Sequence, residues 1–181
     1  MHGGGWQGGT KDAGIAQVIP FVRQGFVGAT IDYRLTGEAA FPAQIHDCKC
    51  AIRYLRAHAD EYGIDPEKII IGGSSAGGHL VALLGTSGGV EEFEGDGGWK
   101  DFSSDVQGVV DLYGPTDFKA LASTPGYEGH DRDGSPESKL LGGGTVLDNI
   151  DGIRKVNPIT YIDANDPPFL IIHGSKIVPF R

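Results

Sequence analysis

The sequence predicts an α/β fold, a mostly parallel sheet with helices on both faces. Two observations carry that reading. Short β-branched runs alternate with longer helical stretches, the order that builds right-handed strand–helix–strand crossovers. Two of those runs, residues 68–72 (KIIIG) and 169–173 (FLIIH), are short and almost wholly apolar, as strands are when both faces of a sheet are covered.

Taken in order, a helix is predicted over residues 11–24, with Pro20 bending or breaking it. A strand follows at 27–33 (VGATIDY). The clearest helix spans 43–62, where Ile45, Cys48, Ile52, Leu55, Ala59 and Tyr62 recur at spacings of three and four and make one apolar stripe. Pro42 fits its first turn and Gly63 a left-handed cap at its end. The strand at 68–72 leads into a helix that runs from Ser75 to about Leu84 and is apolar on most sides, hence buried. Residues 106–113 and 169–173 supply the last two strands. Between them, residues 114–157 are rich in Gly, Asp, Ser and Pro and read as long loops with short helices, a lid-like or substrate-contacting region within a single domain over 1–181.

The length of 181 residues suits one domain with a real core. Glycine is abundant, 30 residues, and clusters at the ends of apolar runs, where the backbone turns sharply or approaches a ligand. The net charge of −9 argues against nucleic acid and against an anionic membrane surface. No apolar run reaches the roughly 18 residues of a membrane span, and no signal peptide is read at the start. The compartment stays open, cytoplasmic or secreted. Cys48 and Cys50 do not face each other on a helix and read as reduced thiols, too few for a metal site. Neither a metal nor a cofactor is expected.

Gly73-Ser74-Ser75-Ala76-Gly77 matches G-x-S-x-G between an apolar strand and an apolar helix. A sharp strand-to-helix turn holds the central serine in a strained conformation and leaves no room for side chains two residues away. Ser75 is therefore the predicted nucleophile, with the new helix's N-terminus favouring negative charge beside it. His2-Gly3-Gly4-Gly5-Trp6 supplies a loop free to aim backbone N–H groups at an oxyanion. Gly4 and Gly5 are predicted donors, joined by the N–H of Ala76.

The HGGGW segment, the run from Asp32 through GGSSAGGHLVALLG, then YGPTD, then NPITYIDANDPPFLIIHGSK together resemble the esterase/lipase branch of the α/β-hydrolase superfamily, most closely bacterial esterases of the feruloyl-esterase-like and hormone-sensitive-lipase-like groups. The resemblance covers nearly the whole chain. It implies hydrolysis of small carboxylic esters through an acyl-enzyme, without cofactor or metal. It also implies that His2 orders its loop rather than acting as a base, and that His79 is structural.

The sequence departs from that pattern in two places. An acid is expected a few residues after His173-Gly174, but Ile177 stands there and the spacing is two residues short. The chain also stops at Arg181, before the segment that would carry the catalytic histidine, and no strand precedes HGGGW. The resemblance thus implies truncation at both ends and a gap in the centre of the sheet, which an oligomer or a complementing segment would fill. No catalytic histidine is identified among His2, His46, His58, His79, His130 and His173; His130 is the one candidate on a variable loop. Asp117 is a candidate acid, with a turn or cap as its commoner role. Two other readings stay open: a non-catalytic, hydrolase-like binding protein or inactive fragment, and an arylformamidase or peptidase of the same superfamily.

Overall fold

The computed structural model describes residues 1–174. Three strands, β1 (Ile70–Ser74), β2 (Gly108–Leu112) and β3 (Phe169–Ile172), form a parallel sheet in that order. Ser74 lies opposite Leu112, and Leu112 opposite Ile172. The helix α4 (Ala76–Thr86) follows β1 directly, and all of its residues are buried, as its apolar circumference requires. Gly85 lets it lie close on the sheet: a Cβ there would come within 2.5 Å of Val109 and 2.9 Å of Phe169. Outside α4 packs α2 (Ala43–Ala57), which buries Ile45, Cys48 and Ile52 in the same core. On the other face of the sheet Ile70, Leu170 and Ile172 are 60%, 55% and 53% exposed.

The expected strand at residues 27–33 forms no ladder. A strand exists only through a hydrogen-bonded neighbour, and no described segment runs beside it. Side chains hold it instead. Gly28 lies against Val18 and Val22 of α1 (Asp12–Val22), Asp32 accepts the N–H of Lys11 at 2.6 Å, and the Tyr33 hydroxyl donates to the His2 carbonyl at 2.9 Å. Pro20 sits inside α1, which buries none of its residues. The expected helix over 43–62 is two helices, because His58 departs from helical dihedrals (φ −109°, ψ 23°) while its ring donates to the Tyr54 carbonyl. The second piece, α3 (Ala59–Tyr62), ends at Gly63 in the left-handed conformation (φ 67°), and Tyr62 is exposed rather than part of the apolar stripe.

Between β2 and β3 come three short helices: α5 (Phe118–Ser123), α6 (Pro136–Leu140) and α7 (Ile150–Val156). Each is started by a side chain that accepts a backbone N–H: Asp117 from Ala120, Ser135 from Ser138, Asn149 from Gly152. Both cysteines are free thiols, and burial pushes that of Cys48 up to about 12. Among the described residues no helix is long and apolar enough to cross a membrane.

A buried charge cluster fixes the outer helix to the chain beyond α4. Lys49 and Arg53, fully buried on α2, bond Glu94 at 2.8 and 2.5 Å, and Ser104 donates to the same carboxylate at 2.7 Å. Burial alone would raise the Glu94 carboxyl, but the bonds from Lys49 and Ser104 and both cationic charges outweigh it and hold it below the ordinary range. Glu94→Ala leaves two cations in the interior without a counter-charge and should cost on the order of 3–5 kcal/mol in urea unfolding. An unchanged midpoint would mean that water already screens the pair.

Candidate active site

The turn from β1 to α4 places Ser75 in a left-handed backbone conformation, φ 54° and ψ −121°. Side-chain-bearing residues hold such dihedrals only where the surroundings leave no alternative. Here Ser75 N–H donates to the Leu112 carbonyl at 2.9 Å, and its own carbonyl accepts the N–H of His79 at 3.0 Å. The flanking glycines are obligatory. A Cβ on Gly73 would collide with the Gly77 carbonyl, and one on Gly77 with the carbonyls of Met1 and His2. The chain start therefore lies against the first turn of α4. Ser75 is half-buried, and its hydroxyl bonds no side chain among the described residues.

The glycine loop lies beside this turn. A Cβ on Gly3 would sit 2.9 Å from the Ser74 carbonyl and 3.3 Å from Ser75 Cβ. Gly4 and Gly5 adopt φ of 122° and 58°, and among the described residues no group accepts their N–H. Ala76 is the first residue of α4, so its N–H has no partner one turn back in the helix. Loop order comes from three sides. His2 stacks on Tyr33 with ring centroids 4.3 Å apart, Trp6 is buried, and Pro136 at the start of α6 abuts Gly5.

His79 has no free ring nitrogen. Trp6 Nε1 donates to its Nδ1 at 3.2 Å, so its Nε2 carries the proton and donates to the Val156 carbonyl at 2.8 Å. Burial pushes its pKa from 6.5 down to about 4. The folded ring stays neutral while the unfolded ring takes up a proton below pH 6.5. Stability should therefore fall as pH drops from 6.5 towards about 4, by about 3 kcal/mol across the window. Urea midpoints through that range should show a slope in the wild type that His79→Gln lacks. Equal slopes would contradict the neutral buried ring.

The remaining histidines have other partners. His46 bonds the Glu92 carbonyl and His173 the Gly174 carbonyl, while His130 Nδ1 lies 3.0 Å from buried Glu137. Asp117 caps α5 and also accepts from Asn157 Nδ2 at 3.3 Å. None of these groups bonds Ser75. Ile177, the position of the expected acid, lies outside the described residues. Among the described residues no cluster of His, Cys, Asp or Glu has the number of groups that a metal ion needs.

Two residues at this end were not singled out from the sequence. Tyr113 follows Leu112, whose carbonyl anchors Ser75; it has φ 49° and is 52% exposed. Asp111 is buried under the same turn, where it accepts the Gly114 N–H at 2.8 Å, and burial pushes its carboxyl up. The Tyr-Gly step after the strand was their only sequence signal.

A strained serine between a parallel strand and a buried helix, with a glycine loop against it, defines an α/β-hydrolase. The BD-FAE family model matches residues 1–181, and the chain belongs to that family. Among curated proteins it is similar to esterase LipC of Mycobacterium tuberculosis, 33% identical over 177 residues, 97% of this chain and 43% of LipC. Among solved structures it resembles a bifunctional GH43-CE protein of Bacteroides eggerthii (40% identity, TM-score 0.86, 95% of this chain and 23% of that one). It also resembles a truncated carbohydrate esterase from gut microbiota (35% identity, TM-score 0.88, 95% and 64%). The chain thus spans less than half of the curated relative.

Proposed function

We propose that the protein containing this chain is a serine carboxylic-ester hydrolase that acts on acyl groups carried by carbohydrates. The observation that carries this reading is the hydroxyl of Ser75 at the strained turn, unbonded among the described residues, beside a glycine loop whose N–H groups are likewise unused among them. Ser75 Oγ attacks the acyl carbon and its proton passes to a base; the carbonyl oxygen becomes an oxyanion bonded by the N–H groups of Gly4, Gly5 and Ala76. The alcohol leaves with a proton, and water releases the acid from the acyl-enzyme. The base comes from outside the described residues. The names of the two structural relatives support a carbohydrate ester as the substrate.

The region 114–157 contributes the substrate-contacting wall on this reading, since Pro136 meets Gly5 and Lys139 bonds Gln7 of the glycine loop at 2.5 Å. The exposed side chains of Ile70, Leu170 and Ile172 support a second segment or copy that covers the sheet. The test is acid release from acetylated and feruloylated oligosaccharides, short p-nitrophenyl esters and matching anilides. Release from the esters that depends on Ser75 supports the proposal. Preference for the anilides would favour an amidase, and binding without release a non-catalytic role.

A further inference from the structure

We propose that the aromatic surface formed by Tyr54, His58, Tyr62 and Trp99 is a second carbohydrate-binding site, which holds the sugar chain at the end of the sheet opposite Ser75. The proposal deepens the carbohydrate-ester reading and rests on it for the choice of ligand; its test reads binding rather than turnover, so either can fail without the other.

Among the described residues four other than glycine have positive φ: Trp6, Ser75, Tyr113 and Trp99. The first three belong to the turn and loop already described. Trp99, at φ 60°, does not, and 42% of it is exposed. A bulky side chain in that conformation is held there by its surroundings, and such strain collects at ligand sites.

The surroundings are specific. Arg53 donates from Nε to the Gly98 carbonyl at 3.2 Å and from Nη2 to the Glu94 carbonyl at 3.1 Å, so the buried charge cluster pins both ends of the 94–98 strap. Gly97 lies flat on α2, where a Cβ would come within 2.9 Å of Cys50 Cβ. Lys49 and Arg53 are buried while Glu94 is about a third exposed, and their bonds hold the strap on α2. What this cluster fixes is the indole, which meets Tyr54 at 4.9 Å and 81° and His58 at 5.7 Å and 71°.

Tyr54, His58 and Tyr62 are spaced by four along α2 and α3, so the rings form a row. The Tyr54 and Tyr62 hydroxyls bond each other at 2.6 Å, and Tyr62 is 40% exposed. Asp96 and Lys100, on either side of Trp99 in sequence, line a cleft of about 620 Å³ with Ser103 and Asp105 among others, and none of the four rings lines it. A sugar ring has an apolar C–H face and a rim of hydroxyls. The rings of Trp99 and Tyr62 are exposed, and Asp96 and Lys100 flank Trp99 in sequence with a carboxylate and an ammonium, which together match both parts. The acidic chain disfavours nucleic acid as the occupant of these rings.

The site lies far from Ser75. Arg56, two residues before His58, donates to the carbonyls of Pro66, Ser103 and Asp105, which precede β1 and β2. Those are the amino ends of the strands, whereas Ser75 follows the carboxyl end of β1.

Affinity electrophoresis in native gels with soluble xylan, mannan or mixed-linkage β-glucan tests the proposal. The wild type and Ser75→Ala should be retarded alike by at least one of them. Trp99→Ala should raise the apparent Kd about tenfold or more, Trp99→Phe should restore part of the affinity, and Tyr62→Ala should weaken it. Trp99→Ala should keep the wild-type urea midpoint and its p-nitrophenyl acetate hydrolysis. No retardation of the wild type in any gel overturns the proposal. So does equal retardation of Trp99→Ala, retardation lost only in Ser75→Ala, or surface aromatics that capture a protein partner but no polysaccharide.

Discussion

Ser75→Ala should lower kcat for a short acyl ester by roughly 10⁶-fold in the whole protein, with the urea midpoint unchanged. The two halves of this expectation have separate causes. The hydroxyl bonds no side chain among the described residues, so its removal strands no buried partner. The strain at φ 54° belongs to the backbone, and alanine inherits it. Chemistry, in contrast, loses the only atom proposed to form a bond to the acyl carbon. A fluorophosphonate reagent gives a second readout: a covalent adduct on the peptide carrying Ser75, absent from the variant. The 181-residue chain by itself should hydrolyse such esters at most weakly, because no described imidazole reaches that hydroxyl. Turnover that survives Ser75→Ala would remove the serine mechanism, and ordinary esterase rates from the isolated chain would mean that a base exists within it.

Gly73→Ala should cost at least about 4 kcal/mol, whereas Gly72→Ala, one residue earlier, should be tolerated. The contrast follows from what each new methyl would meet. At Gly73 it runs into the Gly77 carbonyl and lies 3.0 Å from the Gly78 nitrogen, both backbone. Gly73 cannot retreat, because it is paired with Asp111 in the ladder, and Gly77 is pressed from the other side by the chain start. At Gly72 the nearest atoms are Val110 Cβ at 3.6 Å and its carbonyl at 3.7 Å, ordinary contact distances. Urea midpoints decide it. Equal stability of the two variants would show that the turn is looser than described, and the presentation of Ser75 would lose its structural basis.

Much of the turn was legible because its demands are local. Gly73 and Gly77 flank Ser75 at fixed offsets, and the apolar residues on either side announce a strand and a buried helix. The structural role of His79 was implied by the family resemblance of the GGHL segment. Legibility ended where a partner distant in sequence decides the outcome. Residues 27–33 have strand composition, yet composition supplies no neighbour to bond. The helix over 43–62 carried a continuous stripe, and only the ring of His58 turning back on Tyr54 divides it. Nothing local in the sequence marks Glu94 as an ion-pair partner, because its partners on α2 lie 41 and 45 positions away.

By itself, then, the sequence determined the strand–turn–helix that carries Ser75, the glycine loop and the parallel α/β order, because steric needs of neighbouring residues write those features at short range. Tertiary structure alone decided that the loop lies against the turn, that His79 is locked between Trp6 and Val156, and that Tyr113 and Trp99 are held in left-handed conformations. Those outcomes depend on buried polar groups finding partners across the chain, and the energy of leaving such a group unpaired is a property of the folded interior that no local pattern records.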